Sequence, residues 1–186
     1  MRKLMVFNQV SVDGYFVDAT GDMSWARRDD PEWMDFAAQN ASGEGELVFG
    51  RVTYEMMTAF WPTPQAMQVL PVVARRMNQS PKIVFSGTLE SASWNNTRLI
   101  KGDIVAQMRE LKKKTGPGMT ILGSGTVVSQ FAQAGLIDDY QIVTIPIVLG
   151  GGRTMFGSVK QKLRLKLTNS RTFKNGNVLL CYETAT

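Results

Sequence analysis

Short apolar runs rich in β-branched residues alternate with helix-forming segments along most of this 186-residue chain. The pattern predicts buried strands at residues 3–10, 46–50, 82–86, 119–123 and 138–152, with a shorter extended piece near residues 97–100. Consecutive strands that are separated by helices need crossover connections, which place the strands parallel in one sheet. The alternation therefore predicts an α/β fold with a mostly parallel central sheet.

Periodic apolar positions and capping residues predict the helices between these strands. Asp30 suits the N-cap and Pro31 the first position of a helix that ends near residue 43. Asp103 suits the N-cap of a second amphipathic helix, and Gly135 suits the end of the last one. The predicted helices cover residues 31–43, 51–60, 65–78, 103–114 and 126–135, and prolines separate the second from the third.

The end of the chain follows a different pattern from the rest. Residues 162–173 and 177–184 alternate apolar and polar side chains, and Asn175 and Gly176 between them favour a tight turn. This pattern predicts an antiparallel hairpin at the end of the parallel sheet. No repeat, linker or change in composition divides the chain, so we expect one domain over residues 1–186.

The composition excludes several classes of enzyme. The chain has no histidine, which removes Ser-His and Cys-His nucleophilic pairs and the usual zinc and iron ligand sets, so no metal site is expected. Cys181 is the only cysteine, and its apolar surroundings favour a buried, unreactive thiol. Hydrolysis by a catalytic triad and transition-metal chemistry are therefore both disfavoured.

The net charge and the hydropathy pattern indicate the compartment and the kind of ligand. A formal charge of +5 favours anionic ligands, but the basic residues are spread along the chain and form no nucleic-acid-binding arm. No run of about 18 apolar residues is present, and the first residues do not resemble a signal peptide. We therefore expect a cytoplasmic protein that binds neither membranes nor nucleic acids.

Three predicted strands end in small or hydroxyl-bearing residues at the point where a helix or turn begins. These segments are Gly50-Arg51-Val52-Thr53, Ser86-Gly87-Thr88 and Gly123-Ser124-Gly125-Thr126. Glycines let backbone N–H groups approach a phosphate at a helix N-terminus, although each segment alone is equally compatible with a tight turn. Parallel strands bring such ends to one edge of the sheet, so the three together indicate one phosphate-rich ligand.

The order of these segments resembles the dihydrofolate reductase superfamily, in particular the reductase (RibD C-terminal) domain of riboflavin-biosynthesis deaminase/reductase enzymes. The resemblance covers nearly the whole chain and depends on SVDGYF, LVFGRVTYE, IVFSGTLE, ILGSGTVVSQFAQAGLIDDY and the glycines at 150–152. It implies a three-layer dihydrofolate-reductase-like fold in which a stand-alone reductase binds NADPH. No deaminase domain is present.

The resemblance also implies roles for particular residues. The phosphates of NADPH are expected near Gly50, Arg51, Thr53 and the turn at Gly123, Ser124, Gly125 and Thr126, and the adenosine end near Ser86. The nicotinamide is expected beside Gln9, Val10 and the segment that contains Val17. Arg51, Arg75 or Arg76 is expected to contact the 2′-phosphate.

Hydride transfer suits a chain without histidine because the cofactor supplies the hydride and the protein orients it. A proton must still reach the reduced substrate from a carboxylic acid or from water. The resemblance directs attention to Asp30, Glu32 and Asp35 as catalytic candidates, whereas their positions in the first helix also suit Asp30 as a cap and Glu32 as a partner of the helix dipole. Asp13 is a fourth candidate, although Asp-Gly after a strand usually forms a turn.

The chain also departs from the riboflavin enzymes at positions near the substrate. Gly123 stands where they carry a glutamate, and Met57 stands where they carry an aspartate. The expected function is therefore NADPH-dependent hydride transfer to a pterin-like or pyrimidine-like heterocycle, with a non-catalytic nucleotide-binding protein as the alternative. The long apolar strand around Pro146 is compatible with pairing across a twofold axis, as in related reductase domains, or with an internal strand bent by the proline. We expect a homodimer.

Overall fold

The computed structural model describes residues 1–26, 30–41 and 43–185. The strands are β1 (Leu4–Ser11), β2 (Tyr15–Val17), β3 (Gly45–Gly50), β4 (Lys82–Phe85), β5 (Thr97–Ile100), β6 (Gly118–Leu122), β7 (Asp139–Ile145), β8 (Arg153–Thr154), β9 (Leu165–Thr172) and β10 (Val178–Thr184). The helices are α1 (Pro31–Ala41), α2 (Arg51–Phe60), α3 (Pro64–Val69), α4 (Pro71–Gln79), α5 (Ile104–Lys113) and α6 (Gly125–Gln133).

The central sheet has eight strands in the order β5-β4-β3-β6-β1-β7-β10-β9. The first six strands are parallel to one another, whereas β10 runs antiparallel to both β7 and β9. The hairpin between β9 and β10 turns at Asn175 and Gly176, where Gly176 has a φ of 86°. The predicted fold class, a mostly parallel sheet with an antiparallel C-terminal hairpin, is confirmed.

Helices cover both faces of this sheet and give the fold three layers. On one face, the side chains of Met108 and Leu111 from α5 and Phe131 from α6 join a buried cluster with alternate residues of β1, β3, β4 and β6. On the other face, Trp33 of α1 packs over β7 and β10, and Tyr54 of α2 packs over β3 and β4. Burial of these apolar side chains is the main stabilising contribution to the fold.

The predicted strand at residues 138–152 is too long. β7 ends at Ile145 because Pro146 has no N–H group with which to continue the ladder. The chain turns there, and the Ile147 carbonyl accepts a hydrogen bond of 2.8 Å from the Val12 amide at the end of β1. β7 also lies between β1 and β10, so it is an internal strand and cannot pair with a second copy of the chain.

A second, two-stranded sheet was not predicted from the sequence. β2 pairs with β8 in antiparallel orientation, which brings the loop after β1 against the loop after β7. β8 has only two residues, so its pattern carried no strand signal. Among the described residues, no helix is both long enough and apolar enough to cross a membrane.

Candidate functional site

The ends of β4, β3 and β6 lie side by side at one edge of the sheet. β3 pairs with both β4 and β6 in parallel orientation, so Phe85, Gly50 and Leu122 lie at the same edge. Ser86, Arg51 and Gly123 directly follow these strands. The structure therefore brings together the three segments that the sequence singled out.

Hydrogen bonds join the turn after β6 to the start of α2. The Ser124 amide donates to the Thr53 hydroxyl oxygen at 2.9 Å, and the Gly50 amide donates to the Ser124 hydroxyl oxygen at 2.9 Å. The Ser124 hydroxyl in turn donates to the Leu122 carbonyl at 2.9 Å. Thr53 and Ser124 are both buried, so these bonds fix the relative positions of the two strand ends.

Asn8 of β1 holds the same turn from the other side. Its side-chain amide oxygen accepts a hydrogen bond of 2.6 Å from the Gly123 amide, and its amide nitrogen donates to the Gly123 carbonyl at 3.0 Å. The same nitrogen lies 2.9 Å from the sulfur of Met155. Asn8 is buried, and both the acceptor and the donor of its carboxamide are directed at the main chain of one residue of the turn, Gly123.

Two consecutive residues of this turn adopt a left-handed backbone. Gly123 has a φ of 56° and Ser124 a φ of 60°, a conformation that is uncommon for serine and occurs often at functional sites. A Cβ atom on Gly123 would lie only 2.9 Å from the Thr53 methyl group. Glycine at this position is therefore required by both the backbone conformation and the close approach of α2.

Helices α2 and α6 both begin at this edge without a side-chain cap. Their N-cap residues, Gly50 and Ser124, make no side-chain hydrogen bond to the helix that follows. The first N–H groups of a helix have no partner within it. α5, by contrast, is capped by Asp103, which accepts from two amides of its first turn at 3.0 Å. Two neighbouring uncapped N-termini suit a ligand with two phosphate groups.

The predicted 2′-phosphate readers lie at different places. Arg51 begins α2 beside Gly50, is exposed, and forms an ion pair of 2.9 Å with Glu55 on the next turn. Arg76 donates at 2.9 Å to the carbonyl of Gly45, the first residue of β3, so it lies at the opposite edge of the sheet. Arg75 precedes it and is exposed. Arg51 is thus positioned at the candidate site, and Arg76 is not.

Two further predicted cofactor residues differ in their surroundings. The Ser86 hydroxyl is buried and accepts hydrogen bonds from the Leu89 amide at 2.9 Å and the Thr88 amide at 3.2 Å, so it also stabilises its own turn. Thr126, at the second position of α6, is exposed at the same edge as Gly125.

The segments predicted to lie beside the nicotinamide meet the start of α6. A Cβ atom on Gly125 would lie 2.7 Å from the ring of Phe16, so this ring packs directly against the helix N-terminus. Val10, at the end of β1, and Val17, in β2, are buried. Gln9 lies between Asn8 and Val10 on β1, with its side chain on the opposite face of the sheet.

Asp13 joins the two loops that lie beyond the ends of β1 and β7. Its carboxylate accepts hydrogen bonds from the Leu149 amide at 3.1 Å and the Gly150 amide at 2.7 Å. Hydrogen bonds from the Ser11 side chain and then from these amides lower the pKa of Asp13. Asp13 is therefore an ionised loop anchor in this structure, which agrees with its assignment to turn chemistry.

The three catalytic candidates at the start of α1 have distinct environments. Asp30 accepts a hydrogen bond of 2.9 Å from the Trp33 amide, as an N-cap does. Glu32 forms an ion pair of 2.9 Å with Arg171 and accepts from the Lys174 amide at 3.1 Å. The Arg171 hydrogen bond, followed by that of Lys174, lowers the pKa of Glu32, the opposite of what a proton donor at neutral pH needs.

Asp35, one turn further along α1, is exposed. Asp29, which precedes Asp30, lies outside the described residues. The assignment of the proton donor among Asp30, Glu32 and Asp35 stays a prediction.

Sequence reasoning missed Asn8, which lies in the middle of an apolar strand. A polar amide within such a strand is itself a signal, since buried polar side chains need partners. It also missed the partners of Glu32, because Arg171 is 139 residues away along the chain and no local pattern connects them.

Comparisons with known proteins agree with this architecture. The chain matches the family described as the RibD C-terminal domain over residues 2–179. It is 27% identical over 183 residues to the uncharacterized protein YyaP of Bacillus subtilis (strain 168), which covers 98% of this chain and 95% of YyaP.

Two solved structures have similar folds. A protein assigned to riboflavin biosynthesis from Shewanella sp. PV-4 has a TM-score of 0.77 and 24% identity, with 99% of each chain covered. Dihydrofolate reductase from Enterococcus faecalis, complexed with NADP(H), has a TM-score of 0.64 and 14% identity over 99% of this chain and 97% of that one. At these identities, the likeness shows that the fold is dihydrofolate-reductase-like.

Proposed function

Because the chain belongs to the family of RibD C-terminal domains, we propose that it is an NADPH-dependent reductase. The proposed reaction is hydride transfer to a small planar heterocycle of the pterin or pyrimidine type. The fold itself is reductase-like, and the cofactor and the reaction are our inference.

The observation that carries this proposal is the pair of uncapped helix N-termini at adjacent strand ends. Among the described residues, neither Gly50 nor Ser124 makes a side-chain capping bond to the first amides of α2 and α6. The hydrogen bonds among Gly50, Thr53 and Ser124 hold these two helix starts together. A pyrophosphate has oxygens for both N-termini, and the close contact between Gly123 and Thr53 leaves no room for a larger residue in the turn.

The residues present fit NADPH in other respects. Arg51 is exposed beside the start of α2, where it can exchange Glu55 for a 2′-phosphate. The ring of Phe16 provides an apolar surface at the start of α6 for the nicotinamide, and the main chain of Gln9 and Val10 in β1 offers it hydrogen bonds. NADPH, when bound, supplies the hydride, and these side chains orient it and exclude water.

We assign the proton donor to Asp30. Glu32 is engaged by Arg171 and Lys174, and Asp35 is exposed, whereas Asp30 is partly buried beside Trp33, which packs over the sheet. Asparagine also caps helices well but carries no titratable proton. Asp30→Asn should therefore preserve the fold and cofactor binding while lowering turnover, and Asp35→Asn should leave turnover unchanged.

We propose a homodimer that uses β9 rather than β7. β9 is the last strand of the sheet, seven of its eight residues are exposed, and Leu167 remains 52% exposed. An open edge strand pairs readily with a second copy. Light scattering should give twice the mass of the chain, and Leu167→Lys should shift the assembly toward monomer.

The test of the reductase proposal has two stages. NADPH is first titrated into the protein and followed by quenching of tryptophan fluorescence, and NADPH oxidation is then measured at 340 nm with pterins, uracils and quinones as acceptors. Saturable binding with turnover of a heterocycle supports the proposal. Binding without turnover of any acceptor favours the non-catalytic alternative, and the absence of binding contradicts both.

A further inference from the structure

Two glutamines lie diagonally across the neighbouring strands β1 and β7, on the sheet face that α1 covers. Phe7 of β1 pairs with Gln141 of β7, and Gln9 pairs with Val143, so all four side chains point to the same face. Phe7 and Val143 belong to the cluster that contains Trp33 of α1. Gln9 and Gln141 therefore face the layer between the sheet and α1.

Both glutamines have a buried oxygen without a hydrogen-bond partner in the described part of the chain. These atoms are Oε1 of Gln9 and Oε1 of Gln141. Directly before β10, which is adjacent to β7, the fully buried Asn177 also has both side-chain amide atoms unpaired among the described residues. Folded proteins pair nearly all buried polar atoms, because an unpaired one costs the whole desolvation of that group.

The rest of this layer is aromatic. Phe36 of α1 has ring-centroid distances of 6.4 Å to Phe7, 5.3 Å to Trp33 and 5.1 Å to Phe173. Trp33 and Phe173 are buried, whereas Phe7 and Phe36 are partly exposed and can stack with a flat ring. The Arg171 guanidinium lies 6.0 Å from the centroid of Phe36 but is paired with Glu32, so the two carboxamides offer the hydrogen bonds to the edge of such a ring.

We propose that the side chains of Gln9 and Gln141 recognise a lactam edge, an adjacent ring N–H and C=O, on the heterocyclic substrate. This inference rests on the proposed function and adds specificity-determining residues to it. A carboxamide carries one acceptor and one donor group, so it pairs with both halves of such an edge. Because both oxygens are buried in the free protein, the carboxamides turn toward the substrate before the ring N–H groups pair with them.

The main chain and the side chain of Gln9 have different roles in this proposal. The main chain of Gln9 is placed beside the nicotinamide, whereas its side chain points to the α1 face, where the substrate ring lies. Gln141 belongs to β7 and has no proposed contact with the cofactor. Gln141→Met is therefore the cleaner variant, since it keeps the length of the side chain and removes only its polar group.

The test uses two probes that differ only in their ring N–H groups, lumazine and 1,3-dimethyllumazine. Binding of each is measured by fluorescence to protein saturated with NADP⁺, for the wild type, Gln141→Met and Gln9→Met. Gln107→Met, at an exposed position of α5, is the matched control. The stability of each variant is measured in parallel by urea denaturation.

The wild type and the control should bind lumazine about tenfold more tightly than its dimethyl derivative, or about 1.4 kcal/mol. Gln141→Met and Gln9→Met should lose most of this preference. Gln141→Met should be no less stable than the wild type, because it removes a buried oxygen that has no partner among the described residues, and it should keep its affinity for NADP⁺.

Equal affinity of the wild type for the two probes, or no binding of either, overturns the inference. The inference is also overturned if Gln141→Met loses stability but keeps the preference for lumazine over its dimethyl derivative. That result would show that Gln141 has a structural role. Failure of the wild type to bind NADP⁺ contradicts the proposed function instead, and the two results are measured separately.

Discussion

The side chain of Asn8 forms two hydrogen bonds to a single residue, Gly123, in the turn that follows the neighbouring strand β6. The amide of Gly123 donates to Asn8 at 2.6 Å, and Asn8 donates to the carbonyl of Gly123 at 3.0 Å. The carboxamide thus holds in place the left-handed turn from which α6 starts. The two bonds that Asn8 makes to the candidate cofactor site explain why a polar residue occupies this buried position of β1.

Asn8→Leu should weaken both the fold and cofactor binding. Leucine has a similar shape but makes no hydrogen bond, so the buried amide of Gly123 loses its acceptor at a cost of about 1–3 kcal/mol. Urea denaturation measures this loss, and NADPH titration should show a weaker affinity. Asn95→Leu, at an exposed position, is the control. Unchanged stability and affinity in Asn8→Leu would show that the turn does not need this residue.

Thr53→Val tests the bond that links α2 to the turn. Valine keeps the methyl group that packs against Gly123 but removes the oxygen that accepts from the Ser124 amide at 2.9 Å. We expect a loss of about 1–3 kcal/mol in stability together with weaker NADPH binding. Thr53→Ser keeps the oxygen and should restore most of the affinity, and a serine variant as weak as the valine variant would contradict this explanation.

Gly152→Ala tests the contact between the loop after β7 and β2. Gly152 has a φ of 145°, and a Cβ atom there would lie 2.1 Å from the carbonyl oxygen of Val17. The strands must separate to admit the methyl group, so we expect a destabilisation of about 1–3 kcal/mol. Gly151→Ala is a matched control because its Cβ has open space. Thermal denaturation should rank Gly152→Ala well below the control, and equal midpoints would refute the proposed contact.

Lys82 should make stability depend on alkaline pH. It is buried and donates to the carbonyls of Ser80, Asn95 and Asn78 at 2.7, 3.0 and 3.2 Å. Burial, and to a lesser extent the charge of Arg76, lowers the pKa of Lys82 from 10.5 to about 8.

The unfolded chain therefore binds a proton at Lys82 more tightly than the folded chain does. Stability should rise as the pH increases from about 8 to about 10.5, because the folded state has already released the proton over this range. Urea denaturation of the wild type and Lys82→Met across this range measures the effect. If the stability of both proteins rises equally over this pH range, a group other than Lys82 causes the rise.

The sequence predicted the parallel sheet, the hairpin and the shared edge because these depend on local patterns. Gly50 is the last residue of β3 and Gly123 directly follows β6, each just before a helix begins. A glycine between a strand and a helix is a pattern of only a few residues, so the sequence shows it. The end of β7 was misplaced because its apolar pattern continues beyond Pro146, where the missing N–H group ends the ladder.

Contacts between distant residues could not be predicted in the same way. The ion pair between Glu32 and Arg171 and the bonds from Asp13 to Leu149 and Gly150 join segments more than 130 residues apart. They depend on how the loops and the hairpin pack, which no periodicity records. The same applies to the side-chain oxygens of Gln9 and Gln141, which are unpaired in the described part of the chain and which a strand pattern gives only as polar positions.

The proposed NADPH site is tested most directly by titrating the wild-type protein with NADPH and, separately, with NADH. Binding is monitored by tryptophan fluorescence. We expect saturable binding of NADPH in the micromolar range and weaker binding of NADH, because only NADPH carries the 2′-phosphate that we propose lies beside Arg51. Equal affinities would contradict the role of Arg51. If neither nucleotide binds, the edge formed by β3, β4 and β6 is not a cofactor site.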